Sequence, residues 1–172
     1  MSETSGTSSS ALRWLWLALV VIVADQLTKG MIIRSFELYE VVDVLPVLEI
    51  TRLHNTGAAF SLLAGASGWQ RWFFVGLAAV VSVGIIYWLK HLPKHSAPFL
   101  PAALALVLGG ALGNVIDRLW HGHVVDFLHF HWKLAYFPAF NLADTAITIG
   151  AGLLILDAVI EGRRARSREG GS

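Results

Sequence analysis

The sequence predicts an all-α polytopic membrane protein with four transmembrane helices, and three observations predict it. The chain has 172 residues, 55% of them hydrophobic and only 15% charged, against roughly 25% charged in ordinary globular chains. Its apolar residues gather into four long runs, each near the ~20 residues that cross a bilayer. Six of its thirteen basic residues fall in one short inter-run segment, Lys90 and Lys94, and in the C-terminal tail, Arg163, Arg164, Arg166 and Arg168. Thirteen Lys and Arg nearly balance twelve Asp and Glu, so nothing resembles the clustered basic face that nucleic acid requires. The absence of cysteine excludes disulfides, thiolate ligands and a cysteine nucleophile.

Residues 1–10 form a Ser/Thr-rich leader too polar to bury, expected to be disordered. A single membrane domain over 11–161 follows, then a basic tail over 162–172. The first span covers about 11–33, opening on Trp14 and Trp16, the residue type enriched at membrane interfaces. Asp25 and Lys29 follow its apolar run where a signal peptide would carry a small-residue cleavage site, so the span is retained. The loop over 34–68 is acidic, with Glu37, Glu40, Asp43 and Glu49 against Arg34 and Arg52. Its stretch Val41 to Leu53 is β-branched and partly alternating, which predicts short strands at the membrane surface. Spans two to four cover about 69–89, 98–118 and 137–160, with a long loop over 119–136. Lys90 and Lys94 in the short loop, and Arg163, Arg164, Arg166 and Arg168 in the tail, place both termini in the cytoplasm by the positive-inside rule.

Ionisable groups at membrane depth are costly and are functional candidates by default. Five clusters qualify, all near the outer ends of spans. Asp25 and Lys29 lie i,i+4 on one face of span one. Asn55-Thr56-Gly57-Ala58-Ala59-Phe60-Ser61 leads back to span two, with residues that suit a tight turn. In Gly109-Gly110-Ala111-Leu112-Gly113-Asn114-Val115-Ile116-Asp117-Arg118, the Gly109/Gly113 spacing invites close helix packing. Asn114 and Arg118 share a face there, and Arg118 needs acceptors, for which Asp117 and loop carbonyls are candidates. Asp126 sits between apolar neighbours just past span three, and Asn141 and Asp144 open span four. Asp126 and Asp144 therefore reach the same membrane edge. Two carboxylates forced to share one proton suit hydrolysis by an activated water, without a covalent intermediate.

The motifs DQLTK (25–29), NTGAAFS (55–61), GGALGNVIDR (109–118), VVDF (124–127) and FNLAD (140–144) resemble, in order and spacing, those of the bacterial lipoprotein signal peptidases, or signal peptidases II. The resemblance covers about Trp14 to Ile160. It implies an aspartic endopeptidase of the inner membrane with catalytic Asp126 and Asp144. It implies Asn55, Gly110, Asn114, Arg118 and Asn141 as groups that line the site or position substrate, with Asp25 and Lys29 as supports. The implied fold adds a small periplasmic β-cradle and a short periplasmic helix to the four spans. The implied substrate is a prolipoprotein with a diacylglyceryl-modified cysteine, cut just before that cysteine in the lipid of the membrane. Neither a metal nor another cofactor is implied, and the chain is expected to act as a monomer.

Three rival readings compete. Ser61 could act as nucleophile with Lys29 as base, because a desolvated lysine loses basicity. The histidines His121, His123, His129 and His131 flank Asp126 and could hold zinc. A small transporter or channel component would use intramembrane Asp and Lys to line an ion path, but the charges cluster at span ends and no inverted repeat is visible.

Overall fold

The computed structural model describes residues 11–57, 68–92, 99–133 and 135–169. A 3-10 turn, Ala11–Trp14, leads into α1 (Leu15–Ser35). Next come β1 (Val41–Leu45), β2 (Leu48–Asn55), α2 (Trp69–His91) and α3 (Phe99–Trp120). Then β3 (Val124–Trp132) and β4 (Ala135–Tyr136) precede α4 (Leu142–Glu169). Four helical stretches, Ala11–Ser35, Trp69–His91, Phe99–Trp120 and Leu142–Arg164, have mean hydropathies of 1.7 to 2.1 over their most apolar windows. Each is long and apolar enough to cross a membrane. Their outward faces stay apolar: Val80 is 72% exposed and Val83 69%, an arrangement that water would penalise and lipid does not.

The third helix is the spine. Half of its most apolar window is buried, against about a fifth in the others, and it packs on α1, α2 and α4. Lipid tails are as apolar as leucine, so close van der Waals packing must hold the helices together, and the glycines supply it. A Cβ at Gly109 would lie 2.8 Å from the Ala18 carbonyl oxygen of α1. One at Gly110 would collide with the Ala143 carbonyl and lie 2.7 Å from Cγ1 of Ile147, both on α4. One at Gly113 would come within 2.8 Å of Asp25 Oδ2. Away from the sheet, Ala18, Ile85, Leu89, Leu104, Ala105 and Leu108 close an apolar core.

The four strands form one antiparallel sheet, in the order β1-β2-β3-β4, at the end of the bundle where α1 and α3 finish. Arg52 of β2 ties the sheet to α1 by donating to the carbonyls of Ile33 and Phe36. Leu53 faces Asp126 across the β2/β3 ladder, and Asn55 faces Val124.

Three boundaries differ from the sequence reading. The 119–136 segment contains β3 and β4. The last helix begins at Leu142, because 137–141 is extended and Phe140 bridges to Leu128 of β3; Asn141 then caps the helix, accepting the Asp144 backbone N–H at 2.9 Å. The same helix runs on to Glu169, so most of the basic tail is helical. A separate short helix on the sheet side has no counterpart among the described residues. The leader, Ser61 and Lys94 lie outside them.

Candidate active site

A buried ion cluster forms the floor. Lys29 Nζ lies 2.8 Å from Asp25 Oδ2 of its own helix and 3.0 Å from Asp117 Oδ2 of α3, and it donates to Asn114 Oδ1 at 3.0 Å. All three charged side chains are at most 2% exposed. Buried charges persist only when each remaining lone pair and proton is partnered, and both carboxylates take further donors. Asp25 Oδ1 accepts the Ala143 backbone N–H at 2.9 Å. Asp117 accepts the Val125 backbone N–H at 3.0 Å and Gln26 Nε2 at 2.9 Å. Each carboxylate thus pins the residue immediately preceding one of the two candidate catalytic aspartates, Ala143 before Asp144 and Val125 before Asp126.

Above this floor stand those two aspartates. Asp126, on β3 and 3% exposed, accepts Asn55 Nδ2 on Oδ2 at 2.9 Å and Asn141 Nδ2 on Oδ1 at 2.7 Å. Asp144, in the first turn of α4, accepts Asn114 Nδ2 at 2.7 Å. One amide links the pair: Asn141 donates to the Asp126 carboxylate while its carbonyl oxygen caps the Asp144 N–H. Burial, reinforced by the charge of Asp144, pushes the Asp126 carboxyl up to about 7, although hydrogen bonds from Asn55 and Asn141 and the charge of Lys29 oppose the rise. That pair can hold one proton near neutral pH, the state in which one carboxyl donates while the other accepts.

The Arg118 guanidinium spans the opening. It donates to the Gly57 carbonyl at 2.9 Å and to the Asn114 carbonyl at 3.4 Å, and its Cζ lies 4.9 Å from the Phe74 ring centre. Its buried Nε has no hydrogen-bond partner among the described residues. A cavity of about 740 Å³ opens beside it. Asp144, Asn55, Asn114 and Arg118 line its polar end, while Phe74, Leu77 and Val81 of α2, Val107 and Ala111 of α3 and Ile147 of α4 line an apolar trough. Apolar walls with a few convergent polar groups are the usual form of a small-molecule or peptide site.

The structure brings Asp25, Lys29, Asn55, Gly110, Asn114, Arg118, Asp126, Asn141 and Asp144 into this one region. Gly110 contributes by absence of a side chain, letting the first turn of α4 settle against α3. Sequence reasoning missed Asp117 and Gln26 as parts of the site. The sequence offers Asp117 as one of two acceptor types for its neighbour Arg118, whereas the helix aims it at Lys29; adjacent helical residues do not face each other. Of the two acceptor types expected for Arg118, the loop carbonyl is used. Lys29 is clasped by two carboxylates and Asn114, and Ser61, its expected partner in the serine reading, lies outside the described residues. The histidines do not converge on Asp126. His123 stacks on His54 with ring centres 3.6 Å apart, and burial pushes it down to about 4, while His129 and His131 gather around Glu49.

The family model described as signal peptidase (SPase) II matches residues 17–160 of the chain. A lipoprotein signal peptidase of Shewanella pealeana is 50% identical over 161 residues, 94% of each chain. One of Shewanella woodyi is 52% identical over 150 residues, 87% of this chain and 85% of that one. One of Alteromonas mediterranea is 50% identical over 163 residues, 95% and 88%. Among solved structures, a bacterial membrane enzyme determined by the in meso method at 2.3 Å superposes with a TM-score of 0.77 at 32% identity, covering 87% of this chain and 89% of that one. Another, at 1.9 Å, gives 0.72 at 34% identity, covering 84% and 90%.

Proposed function

Because the chain belongs to the signal peptidase II family, an aspartic peptidase family that removes signal peptides from prolipoproteins, we propose that Asp126 and Asp144 are its catalytic dyad. The observation that carries this reading is Asp144 at the polar end of an otherwise apolar trough, joined through Asn141 to a second carboxylate, Asp126, buried just behind it. Asp126, titrating near neutrality, donates its proton to the scissile carbonyl oxygen as water attacks the carbonyl carbon, and Asp144 takes the proton that water loses. Collapse of the resulting diol breaks the C–N bond, with Asp144 returning that proton to the leaving amine and Asp126 recovering its own. Asn114, itself held by Lys29, keeps the Asp144 carboxylate in place, and the Arg118 guanidinium at the polar end of the trough supplies N–H donors to a substrate carbonyl.

The apolar trough lies between α2 and α4 over α3, open to a chain arriving sideways from lipid. A diacylglyceryl-modified cysteine anchored there would hold the preceding peptide bond at dyad depth, which converts lateral diffusion into orientation. In this reading the sheet end is the outer, periplasmic end of a multi-pass inner-membrane protein, because Lys90, Arg163, Arg164 and Arg166 lie at the opposite end of the bundle, which the positive-inside rule assigns to the cytoplasm together with both termini.

The test is a paired kcat/KM measurement on lipidated and unlipidated peptides in one detergent. The lipidated peptide should be cut before its cysteine at least ~10²-fold more efficiently. Asp126→Asn and Asp144→Asn should each abolish turnover in folded protein, while Ser61→Ala retains it. A chelator, applied well below the melting temperature, should leave turnover unchanged. Equal values for both peptides would remove the anchoring role, and activity in either Asn variant would remove the dyad.

A further inference from the structure

The sheet carries a second cluster of chemistry, on the face away from the dyad. Asp43 of β1, Glu49 of β2 and His129 of β3 are in direct register, so their side chains project from one face. His131, two residues farther on, shares that face, and Asp126, an odd number of residues from both, takes the other. Glu49 is 9% exposed, and each of its oxygens meets an imidazole. Oε2 lies 3.0 Å from His129 Nδ1, and Oε1 lies 3.4 Å from His131 Nε2. Tyr136 stacks on both rings, at 5.3 and 5.6 Å between centres, and fixes their planes. One ligand atom each from Asp43, Glu49 and His131 falls within a mutual distance of 4.8 Å. A hollow of about 350 Å³ opens beside them, lined by Asp43, Val44, Leu45, Pro46 and His131.

We propose that Asp43, Glu49 and His131 bind a divalent transition-metal ion of the zinc class, with water completing a tetrahedron. Three features carry this beyond an ordinary polar cluster. First, the 3.4 Å between His131 Nε2 and Glu49 Oε1 is long for a charge-assisted hydrogen bond, which prefers about 2.7–2.9 Å. It equals the ligand-to-ligand edge, roughly 3.3–3.4 Å, of a tetrahedron with metal bonds near 2.0–2.1 Å. Second, His129 holds the other oxygen of Glu49, the outer-shell contact that orients ligating carboxylates. Third, the Asp43 and Glu49 carboxylates together present two negative charges, which one divalent ion cancels. An imidazole in the donor set selects zinc, nickel or copper over magnesium or calcium. The ion clips β1, an edge strand exposed along its length and joined to the sheet by β2 alone, directly to β3. It does so without entering the catalytic chemistry, and the assignment stands apart from the peptidase reading.

The test uses untagged full-length protein in detergent, stripped with a chelator, titrated with Zn²⁺ by calorimetry and with Co²⁺ by visible absorption. One equivalent should bind, and cobalt should give the intense band of a tetrahedral site. His131→Ala should remove saturable binding, and His129→Ala should weaken it by about 10–100-fold. Asp43→Asn, at an exposed position with volume retained, should weaken it at least ~10-fold and so tests the site even if the His131 variant folds poorly. The double variant His121→Ala/His123→Ala should bind as the wild type does. Zinc should raise the melting temperature of the wild type and not that of Asp43→Asn. Absence of saturable binding, equal affinity in wild type and Asp43→Asn, or loss confined to the His121/His123 variant would each overturn the assignment.

Discussion

One lysine ties together more of the candidate site than either aspartate does. Lys29 anchors Asp25, Asp117 and Asn114, and through the two carboxylates the backbones ahead of both candidate catalytic aspartates. Lys29→Met should therefore leave two buried carboxylates unbalanced, a loss of about 3–5 kcal/mol, readable as a fall in melting temperature together with kcat. The sequence made Lys29 and Asp25 visible as an i,i+4 pair but not their third partner, because proximity along the chain favoured Asp117 with Arg118 over a contact between helices. Asp126 carries a pH signature. Its carboxyl is raised from the ordinary 3.8 to about 7, so the folded state binds a proton more readily than the unfolded chain. The stability this residue contributes is present in full below about pH 4 and is lost as pH rises through 7. Melting temperature measured from pH 4 to 8 should show that decline in the wild type and lose the component in Asp126→Asn. Arg118→Lys should cut kcat/KM by at least ~10-fold, since an ammonium cannot reach two carbonyls and present a further N–H in the same plane; wild-type kinetics would remove the forked-contact role.

The helices were legible because length and apolarity suffice to define a span, and each apolar run became a helix. β3 was not, for a physical reason. Its first four residues, Val124 to Phe127, are all buried, so the alternation that marks a half-exposed strand is missing exactly where Asp126 sits between two packed faces. The start of α4 was placed too early because 137–141 is apolar enough to continue the helix backwards, yet its backbone is spent on β3 and Asn141 supplies the cap. The glycines of α3 were legible as a packing face, and the structure divides the labour among them. Gly110→Ala should push the first turn of α4 outward and carry Asp144 with it, with a destabilisation of roughly 1–3 kcal/mol by overpacking and a larger loss of kcat than of stability. Gly30→Ala, where a Cβ meets nothing within 4 Å, should be neutral in both readouts.

The candidate site lies at the sheet end of the bundle and the basic residues Lys90, Arg163, Arg164 and Arg166 at the other, and the proposed orientation rests on that asymmetry. With no cysteine in the chain, orientation is open to single-cysteine labelling without a background to remove. Glu37→Cys should react with a membrane-impermeant maleimide in intact cells, and Arg164→Cys only after permeabilisation; the reverse pattern would invert the topology. The ion cluster under the site also bears on how the chain enters the bilayer. When α1 leaves the insertion machinery, neither Asp117 nor Asn114 has yet been made, and a lone lysine at that depth would resist partition by ~2.5–3.5 kcal/mol. Asp25, one turn away on the same helix, travels with it as a ready-made counter-ion. α1 is thus able to wait in lipid, self-neutralised, until α3 arrives to claim the ammonium. In a pulse-chase experiment, Asp25→Asn should slow the integration of α1, before any folded site exists to be damaged.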